Sequence, residues 1–322
     1  MTVLHGFESP ASYRNGFVSI GNFDGVHCGH QAMVAALVSR AREESVPAVA
    51  LTFDPHPIEL LRPDAVPPRL TTIAHRAELL QQYGVDCVIV LSTTPQFLTM
   101  TAEEFFHTIV RTELRARGLV EGPNFFFGRN RGGSITLLRG FCTAHQLKLD
   151  IIPPVIVDEQ LVSSSVIRSL IEAGDLTESV RLLGHPYRLS GTVCRGSERG
   201  RELGFPTANL TNLANLIPGD GVYAATTMIE GSHFATAVNV GPNPTFGESK
   251  KKVEAHILDF NGDLYGKKLD VDFRHRIREV RRFQSATDLL AQLKQDIEAV
   301  RTTATPESIS SRHSSSRRAG NS

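Results

Sequence analysis

The sequence predicts an α/β chain in two parts, a doubly wound parallel sheet followed by a β-rich domain with a closing helix. Two observations carry this. From Phe17 to about Leu183, short apolar runs alternate with segments of helical periodicity, the texture of repeated βα units. After Gly184-His185-Pro186 the helical segments give way to short strands separated by turn residues, the texture of a barrel or a sandwich. No self-similar period of roughly 20–50 residues runs through the chain, which argues against a solenoid.

The first strand is Phe17-Val18-Ser19-Ile20. A glycine-rich loop, Gly21 to His30, leads from it into an amphipathic helix, Gln31 to Glu44, with apolar positions at Met33, Val34, Leu37, Val38 and Ala41. Ala48 to Phe53 reads as a buried second strand. Ile73 to Gln82 reads as a helix stopped at Gly84, and Asp86 to Leu91 as a third strand. Thr101-x-x-Glu104 is a capping box opening a helix towards Leu114. Leu119 to Glu121 and Lys148 to Ile152 read as further strands, with a helix from Ile135 to Gln146 between them. Another helix, Ser164 to Ala173, ends at Gly174. In the second half, strands are expected over Leu189–Val193, Val222–Ile229, Phe234–Val240, Val253–Phe260 and Lys268–Phe273. Their turns are Glu230-Gly231, Pro242-Asn243-Pro244 and Asn261-Gly262-Asp263. Ser285-x-x-Asp288 opens a last helix, and a Ser/Arg-rich tail, read as disordered, follows from Thr303.

The 322 residues suffice for two domains, and 41% hydrophobic against 21% charged residues supplies their cores. A formal net charge of zero gives no broad surface for nucleic acid or an acidic membrane, so neither is expected as a partner. No apolar run approaches the roughly 20 residues of a membrane span, and Met1 to Pro10 lacks the pattern of a secretory signal. Cys28, Cys87, Cys142 and Cys194 are widely scattered, which suits reduced thiols in a cytoplasm.

Chemistry concentrates in a few loops. Gly21, Gly25 and Gly29 permit sharp turns and close approach of the backbone to a ligand, and the following helix offers unpaired N–H groups to phosphate. His27 and His30, three apart, face one side of that helix and can stabilise charge on a phosphoryl group. Ordinary surface histidines, or half of a metal site, are the alternatives. Metal is disfavoured because no second ligand cluster follows. Thr52-Phe53-Asp54-Pro55-His56-Pro57 is a stiff loop at the sheet mouth. In Pro123-Asn124-Phe125-Phe126-Phe127-Gly128-Arg129 the three phenylalanines cannot all face one core, so one is available to stack on a planar ligand or to pack beneath the loop. Ser163-Ser164-Ser165-Val166-Ile167-Arg168 offers hydroxyls and a cation at a helix start, or a plain N-cap with a solvated arginine. Thr207 and Asn209, two apart, share a face if the segment is extended, and reach magnesium and phosphates or form a polar edge. Glu254, inside an alternating strand, reads by itself as solvent-facing. Gly262-x-x-x-Gly266-Lys267 only imitates a P-loop, being too short and set in a hairpin.

The string Gly21-Asn22-Phe23-Asp24-Gly25-Val26-His27-Cys28-Gly29-His30 resembles the G-x-F-D-G-x-H-x-G-H signature of bacterial riboflavin kinase/FAD synthetases. The T-F-D-P-H-P string, Asn124-Phe125-Phe126-Phe127-Gly128, Ser163-Ser164-Ser165-Val166-Ile167-Arg168 and Gly204-Phe205-Pro206-Thr207-Ala208-Asn209-Leu210 are similar to further motifs of that family, in order, from roughly Phe17 to Val300. The resemblance implies a nucleotidyltransferase domain over 1–184, a riboflavin kinase β-barrel over 185–302 and a tail over 303–322. It implies catalytic roles for His27, His30, Arg168 and Glu254, the last as the base for the riboflavin 5′-hydroxyl. ATP and phosphate contacts fall on Gly21, Asn22, Phe23, Gly25, Gly29, Ser164, Ser165, Gly200, Thr207 and Asn209. Flavin contacts fall on Asp54, His56, Pro57, Asn124 and Phe125, and Mg2+ on Thr207 and Asn209. Arg199 and Arg201, in the glycine loop, are placed near phosphate. The implied partners are riboflavin, FMN, FAD and ATP, with a transient homo-oligomer allowed. The chain departs from the family at Ser165, where threonine is usual, at Phe126, where Arg or Thr is frequent, and at Glu121-Gly122-Pro123. A chain with one activity and a flavin-binding or regulatory second domain is the rival reading, and a non-catalytic flavin binder is another.

Overall fold

Apolar runs too short for helices form six strands in the first half of the computed structural model: β1 (Thr2–His5), β2 (Phe17–Ile20), β3 (Ala48–Asp54), β4 (Cys87–Ser92), β5 (Gly118–Glu121) and β6 (Lys148–Ile151). The structure describes residues 2–7, 12–196, 200, 204–242 and 251–303. The chain divides into two compact units, Met1–Ser164 and Ser165–Ser322.

In the first unit all six strands are parallel, in the order β1-β4-β3-β2-β5-β6. Alternation along the strands separates two apolar faces. Phe17, Ala48, Ala50, Val88 and Val120 pack with Val34 and Leu37 of helix α1 (Cys28–Glu43) and with residues of the helix Ile73–Gln82. Val18, Ile20, Val49, Leu51, Ile89 and Leu119 pack on the opposite face with Ile109, Val110 and Leu138. This is the doubly wound sheet expected. The chain moves from β2 through β3 to β4 on one side, then returns to place β5 on the other side of β2. Strand order therefore reverses at β2, and the loop leaving its carboxyl end lies at the switch point where such sheets bind ligands.

Some local elements differ from expectation. Strand β1 was not foreseen; only four residues long and mostly exposed, it pairs with β4 at the sheet edge. The capping box at Thr101 forms as expected, with reciprocal bonds between Thr101 and Glu104. Beyond Phe105 the helix widens to π spacing over Phe106–Glu113, with Leu114 N–H donating to the Ile109 carbonyl at 3.0 Å. The prolines after Thr52 do not merely end a strand: Pro57 occupies the first turn of a short helix, Pro57–Leu61, capped reciprocally by His56 and Glu59.

A short hairpin, β7 (Ile156–Val157) and β8 (Gln160–Leu161), precedes the second unit. That unit contains β9 (Tyr187–Cys194), β10 (Ala208–Thr211), β11 (Gly221–Ile229), β12 (Ser232–Gly241), β13 (Lys252–Ile257) and β14 (Lys268–Arg278). They pair antiparallel as β10-β13-β12-β11-β14-β9, and β9 returns to β10, so the sheet closes into a barrel. Glu230-Gly231, both at positive φ, makes the β11–β12 hairpin. The closing helix, Ala286–Thr303, starts with Ser285 Oγ accepting from Asp288 N–H. Its Ile297 and Val300 pack on Ala224, Ala235, Ala237 and Ile277. Buried Asp296 accepts from Arg278 of β14 at 2.7 Å. The helix Ser164–Ala173, from Ser165 onward, and the helix Leu176–Leu183 belong to this unit. Gly174, at φ +79°, turns the chain between them, and a Cβ there would meet Tyr223 Oη at 2.7 Å. Arg199, Arg201, Asn243, Pro244 and the tail beyond Thr303 lie outside the described residues.

Candidate active sites

The loop after β2 is held in a strained form by a buried ion pair. Phe23, Gly25 and Val26 all take positive φ, and Phe23 and Val26 are fully buried. The Asp24 carboxylate accepts from the N–H groups of Leu70 and Thr71, each at 3.0 Å, and pairs with Arg76 at 3.2 Å. Arg76 also donates to Thr52 Oγ1, which in turn donates to the Asn22 carbonyl. Gly25 N–H donates to Thr71 Oγ1. The loop is thus tied to β3 and to the start of the helix Ile73–Gln82. Sequence reading gave Asp24, Thr71 and Arg76 no role. An arginine on the buried side of an otherwise apolar helix face was the available signal.

This anchoring delivers the two histidines. His27 is the N-cap of α1, and its Nδ1 accepts from His30 N–H at 3.4 Å. The imidazoles stack with centroids 3.7 Å apart and planes 15° apart. A Cβ at Gly29 would sit 3.2 Å from His27 Nδ1, so glycine lets that ring lie close over the helix start. Phe23 meets the His30 ring edge-on at 5.4 Å. Burial first, then His27 and Arg76, hold the His30 pKa well below the ordinary imidazole value. His30 Nδ1 and Asn22 Oδ1 are buried with no hydrogen-bond partner among the described residues. Two buried polar atoms in that state call for a partner that the described residues do not supply. Ser164 Oγ donates to the Asp24 carbonyl at 3.0 Å, whereas Ser165 and Arg168 fall in the second unit.

Further along the carboxyl edge, an aromatic chain joins the two expected flavin loops. Phe53 meets Phe97 at 5.6 Å, Phe97 meets Phe105 at 5.9 Å, Phe105 meets Phe127 at 5.6 Å, and Phe127 stacks on Phe125 at 5.4 Å. The three consecutive phenylalanines take three environments. Phe127 is buried, Phe125 is half-buried, and Phe126 is exposed under the Arg131 guanidinium at 4.3 Å. Asn124 is exposed beside them. Asp54 pairs with Arg69 at 3.2 Å, and His56 is engaged as a helix cap.

In the barrel, Asn209 of β10 lies directly opposite Glu254 of β13, which lies opposite Asn239 of β12. Directly paired residues on adjacent strands share a face, so these three form one polar row. A Cβ on Gly196 would overlap the Asn209 amide, and one on Gly200 would lie 3.3 Å from Thr207 Oγ1. Backbone from the glycine loop therefore lies against both side chains. His256, two residues after Glu254, bonds the Pro206 carbonyl at 2.7 Å and meets Phe205 edge-on at 5.7 Å. It fixes the Pro206-Thr207 segment, a task the sequence reading did not assign.

The FAD synthetase family pattern matches residues 9–166, and the riboflavin kinase family pattern matches residues 183–304. A bifunctional riboflavin kinase/FMN adenylyltransferase of Pseudomonas fluorescens is 36% identical over 95% of this chain and 99% of its own length. The chain belongs to the bifunctional riboflavin kinase/FMN adenylyltransferase family. The family's Escherichia coli (strain K12) member is 34% identical over 92% of this chain and 96% of its own. A crystal structure from Streptococcus pneumoniae, described as a macrolide-efflux protein, superimposes with a TM-score of 0.80 at 32% identity, covering 94% of this chain and 98% of the other. Among the described residues here, no helix is long and apolar enough to cross a membrane. Within the family's frame, the histidine loop falls in the FAD synthetase region and the Asn209–Glu254 row in the riboflavin kinase region.

Proposed function

We propose that this chain makes FMN and then FAD: the barrel transfers the γ-phosphate of ATP to the riboflavin 5′-hydroxyl, and the sheet unit joins FMN to the AMP portion of a second ATP, releasing pyrophosphate. The observation that carries the reading is that both polar clusters are intact in one chain matching bifunctional relatives along nearly their whole length. We retain 1–184 and 185–302 as the functional division, since the serine motif at 163–168 serves the first reaction in this reading.

In the kinase step, Glu254 accepts the hydroxyl proton as the oxygen attacks phosphorus. Thr207 Oγ1 and Asn209 Oδ1 are hard oxygen donors set against close-lying glycine backbone, which fits Mg2+ together with nucleotide phosphates. Bound there, Mg2+ neutralises phosphate charge. His256 holds the segment carrying Thr207 in place.

In the adenylyl step, an FMN phosphate oxygen forms a bond to the α-phosphorus while the bond to pyrophosphate breaks. The nucleophile needs no base, so the protein's work is alignment and charge stabilisation. His27 Nδ1 accepts a hydrogen bond, which leaves its proton on Nε2 as a donor. His30 enters as a neutral imidazole. The N-terminus of α1 adds its N–H groups, Ser164, Ser165 and Arg168 are assigned to the triphosphate, and the Phe125 side of the aromatic chain is assigned to the flavin. All four cysteines are free thiols, in keeping with the cytoplasmic location we assign.

The test is separation of the two activities. His27→Ala with His30→Ala abolishes FAD formation and spares FMN formation, whereas Glu254→Ala does the converse when FMN is supplied. Unchanged FAD synthesis in the double variant refutes the first site, and undiminished FMN formation in Glu254→Ala refutes the second. Product chromatography reads both.

A further inference from the structure

The sheet opens at its switch point. Strand β2 pairs with β3 along its whole length, Phe17 to Ile20 against Ala48 to Leu51. On its other side it pairs with β5 only at Phe17–Gly118 and Val18–Leu119. Strand β5 meanwhile continues against β6 as far as Glu121–Ile151. Above Val18 and Leu119, then, the two central strands part. N–H groups along β2 alternate in direction: Phe17 and Gly21 donate to the β3 side, to the Pro47 and Leu51 carbonyls. Ile20 N–H therefore points across the opening towards β5, where no backbone carbonyl takes it. Glu121 takes it instead, through Oε1 at 2.8 Å, with the side chain 1% exposed.

The strands on either side of this bond carry the two halves of the adenylyl-transfer site. Gly21, where the histidine loop begins, directly follows Ile20, and Asn124-Phe125 lies three residues beyond Glu121. The link between them is short and stiff: Phe125 N–H donates to the Gly122 carbonyl, closing a turn directly on Glu121. We infer that Glu121 is a positioning residue for adenylyl transfer: its side chain stands in for the missing ladder bond between β2 and β5 and so sets the separation of the nucleotide loop from the flavin loop. This rests on the adenylyl-transfer reading of the sheet unit. Glu121 touches neither substrate.

The role needs only an acceptor oxygen, which a neutral carboxyl still supplies. Burial drives the Glu121 carboxyl well above the usual carboxylate range, and the Ile20 bond only partly offsets that. A glutamine keeps the acceptor oxygen and its reach, an aspartate keeps the acid but loses the reach, and a valine loses the acceptor.

The full chain is tested as Glu121→Gln, Glu121→Asp and Glu121→Val, with ATP and FMN varied separately and riboflavin phosphorylation measured in the same preparations. Misalignment of reacting atoms by about 1 Å costs roughly 100-fold in rate. Glu121→Val is expected to lose FAD formation on that scale in kcat, with KM for ATP and for FMN each within about threefold and FMN formation unchanged. Glu121→Asp falls between, and Glu121→Gln restores kcat to within about threefold of the parent. The proposal is overturned if Glu121→Val keeps the parent kcat, if Glu121→Gln falls as far as Glu121→Val, or if the loss lies in KM alone. Should the valine chain fail to fold, the glutamine and aspartate chains decide: equal rates in those two also overturn it. A parent chain that makes FMN but no FAD defeats the adenylyl-transfer reading itself, an outcome separate from parent activity that is indifferent to Glu121.

Discussion

Two imidazoles stacked at 3.7 Å repel if both are charged, and the chemistry of the first site turns on how that is resolved. The Arg76 cation adds to this, and its influence on His30 is unfavourable to a proton. His30 thus enters neutral, and positive charge comes from the helix end and from the arginine assigned to the triphosphate. It follows that kcat/KM for FMN adenylylation does not fall as pH rises through the ordinary imidazole value of 6.5, a rise from ionisation of the FMN phosphate (second pKa about 6) being compatible with a neutral His30. A tenfold fall per pH unit across that value would show that a protonated imidazole is required. The Asp24–Arg76 pair makes the second residue-level prediction. Both side chains are nearly inaccessible, so removing one partner strands the other. Asp24→Ala is expected to cost about 3–5 kcal/mol of stability, measured by urea unfolding, and to disable FAD formation through the loss of loop geometry. A loss under about 1 kcal/mol would mean that the pair does not organise the loop. Neither point was legible in the sequence. The three-residue spacing of His27 and His30 indicates a shared face, but not that the rings touch or that Arg76 acts on His30.

Legibility at the scale of elements follows how local the determining physics is. Helix caps at Thr101 and Ser285 form where the side chains at those positions specify them, because a cap is decided within four residues. The buried strands β2 to β5 are recognisable because parallel strands covered on both faces are continuous apolar runs. Edge strand β1 has no such run, and its place depends entirely on β4 offering a free edge. Closure of the barrel depends equally on distant partners. Strand β10 is only four residues, yet it bridges β9 and β13, and that closure brings Asn209 opposite Glu254. From spacing alone Glu254 is one more polar residue on an alternating strand. The resemblance to riboflavin kinases assigned it a role, and the register shows the company it keeps. The gap between β2 and β5 is the extreme case: Glu121 reads simply as a departure from the family's usual string, and only the pairing on both sides reveals that its carboxyl replaces a ladder bond.

The whole molecule carries two sets of machinery on two cores, and FMN is the product of one and the substrate of the other. Each set has its own anchors: Asp24, Arg76 and Thr71 hold the histidine loop within the first unit, and the glycine loop and His256 frame the polar row within the barrel. If the two reactions are linked only through free FMN, FMN made by one molecule serves another. A chain with Glu254→Ala and a chain with His27→Ala and His30→Ala each fail to convert riboflavin to FAD, for opposite reasons. Mixed, they are expected to recover the conversion, with FMN rising first and FAD following after a lag that shortens as the concentration of the Glu254→Ala chain is raised. The lag arises because free FMN must build up until the adenylyl sites consume it as fast as the barrels make it, a level that falls as more adenylyl-competent chain is present. Recovery without free FMN would require direct hand-over between molecules, and no recovery would show that FMN made in the barrel is not released for use elsewhere. Either result would end the picture of two reactions joined only by a free common intermediate.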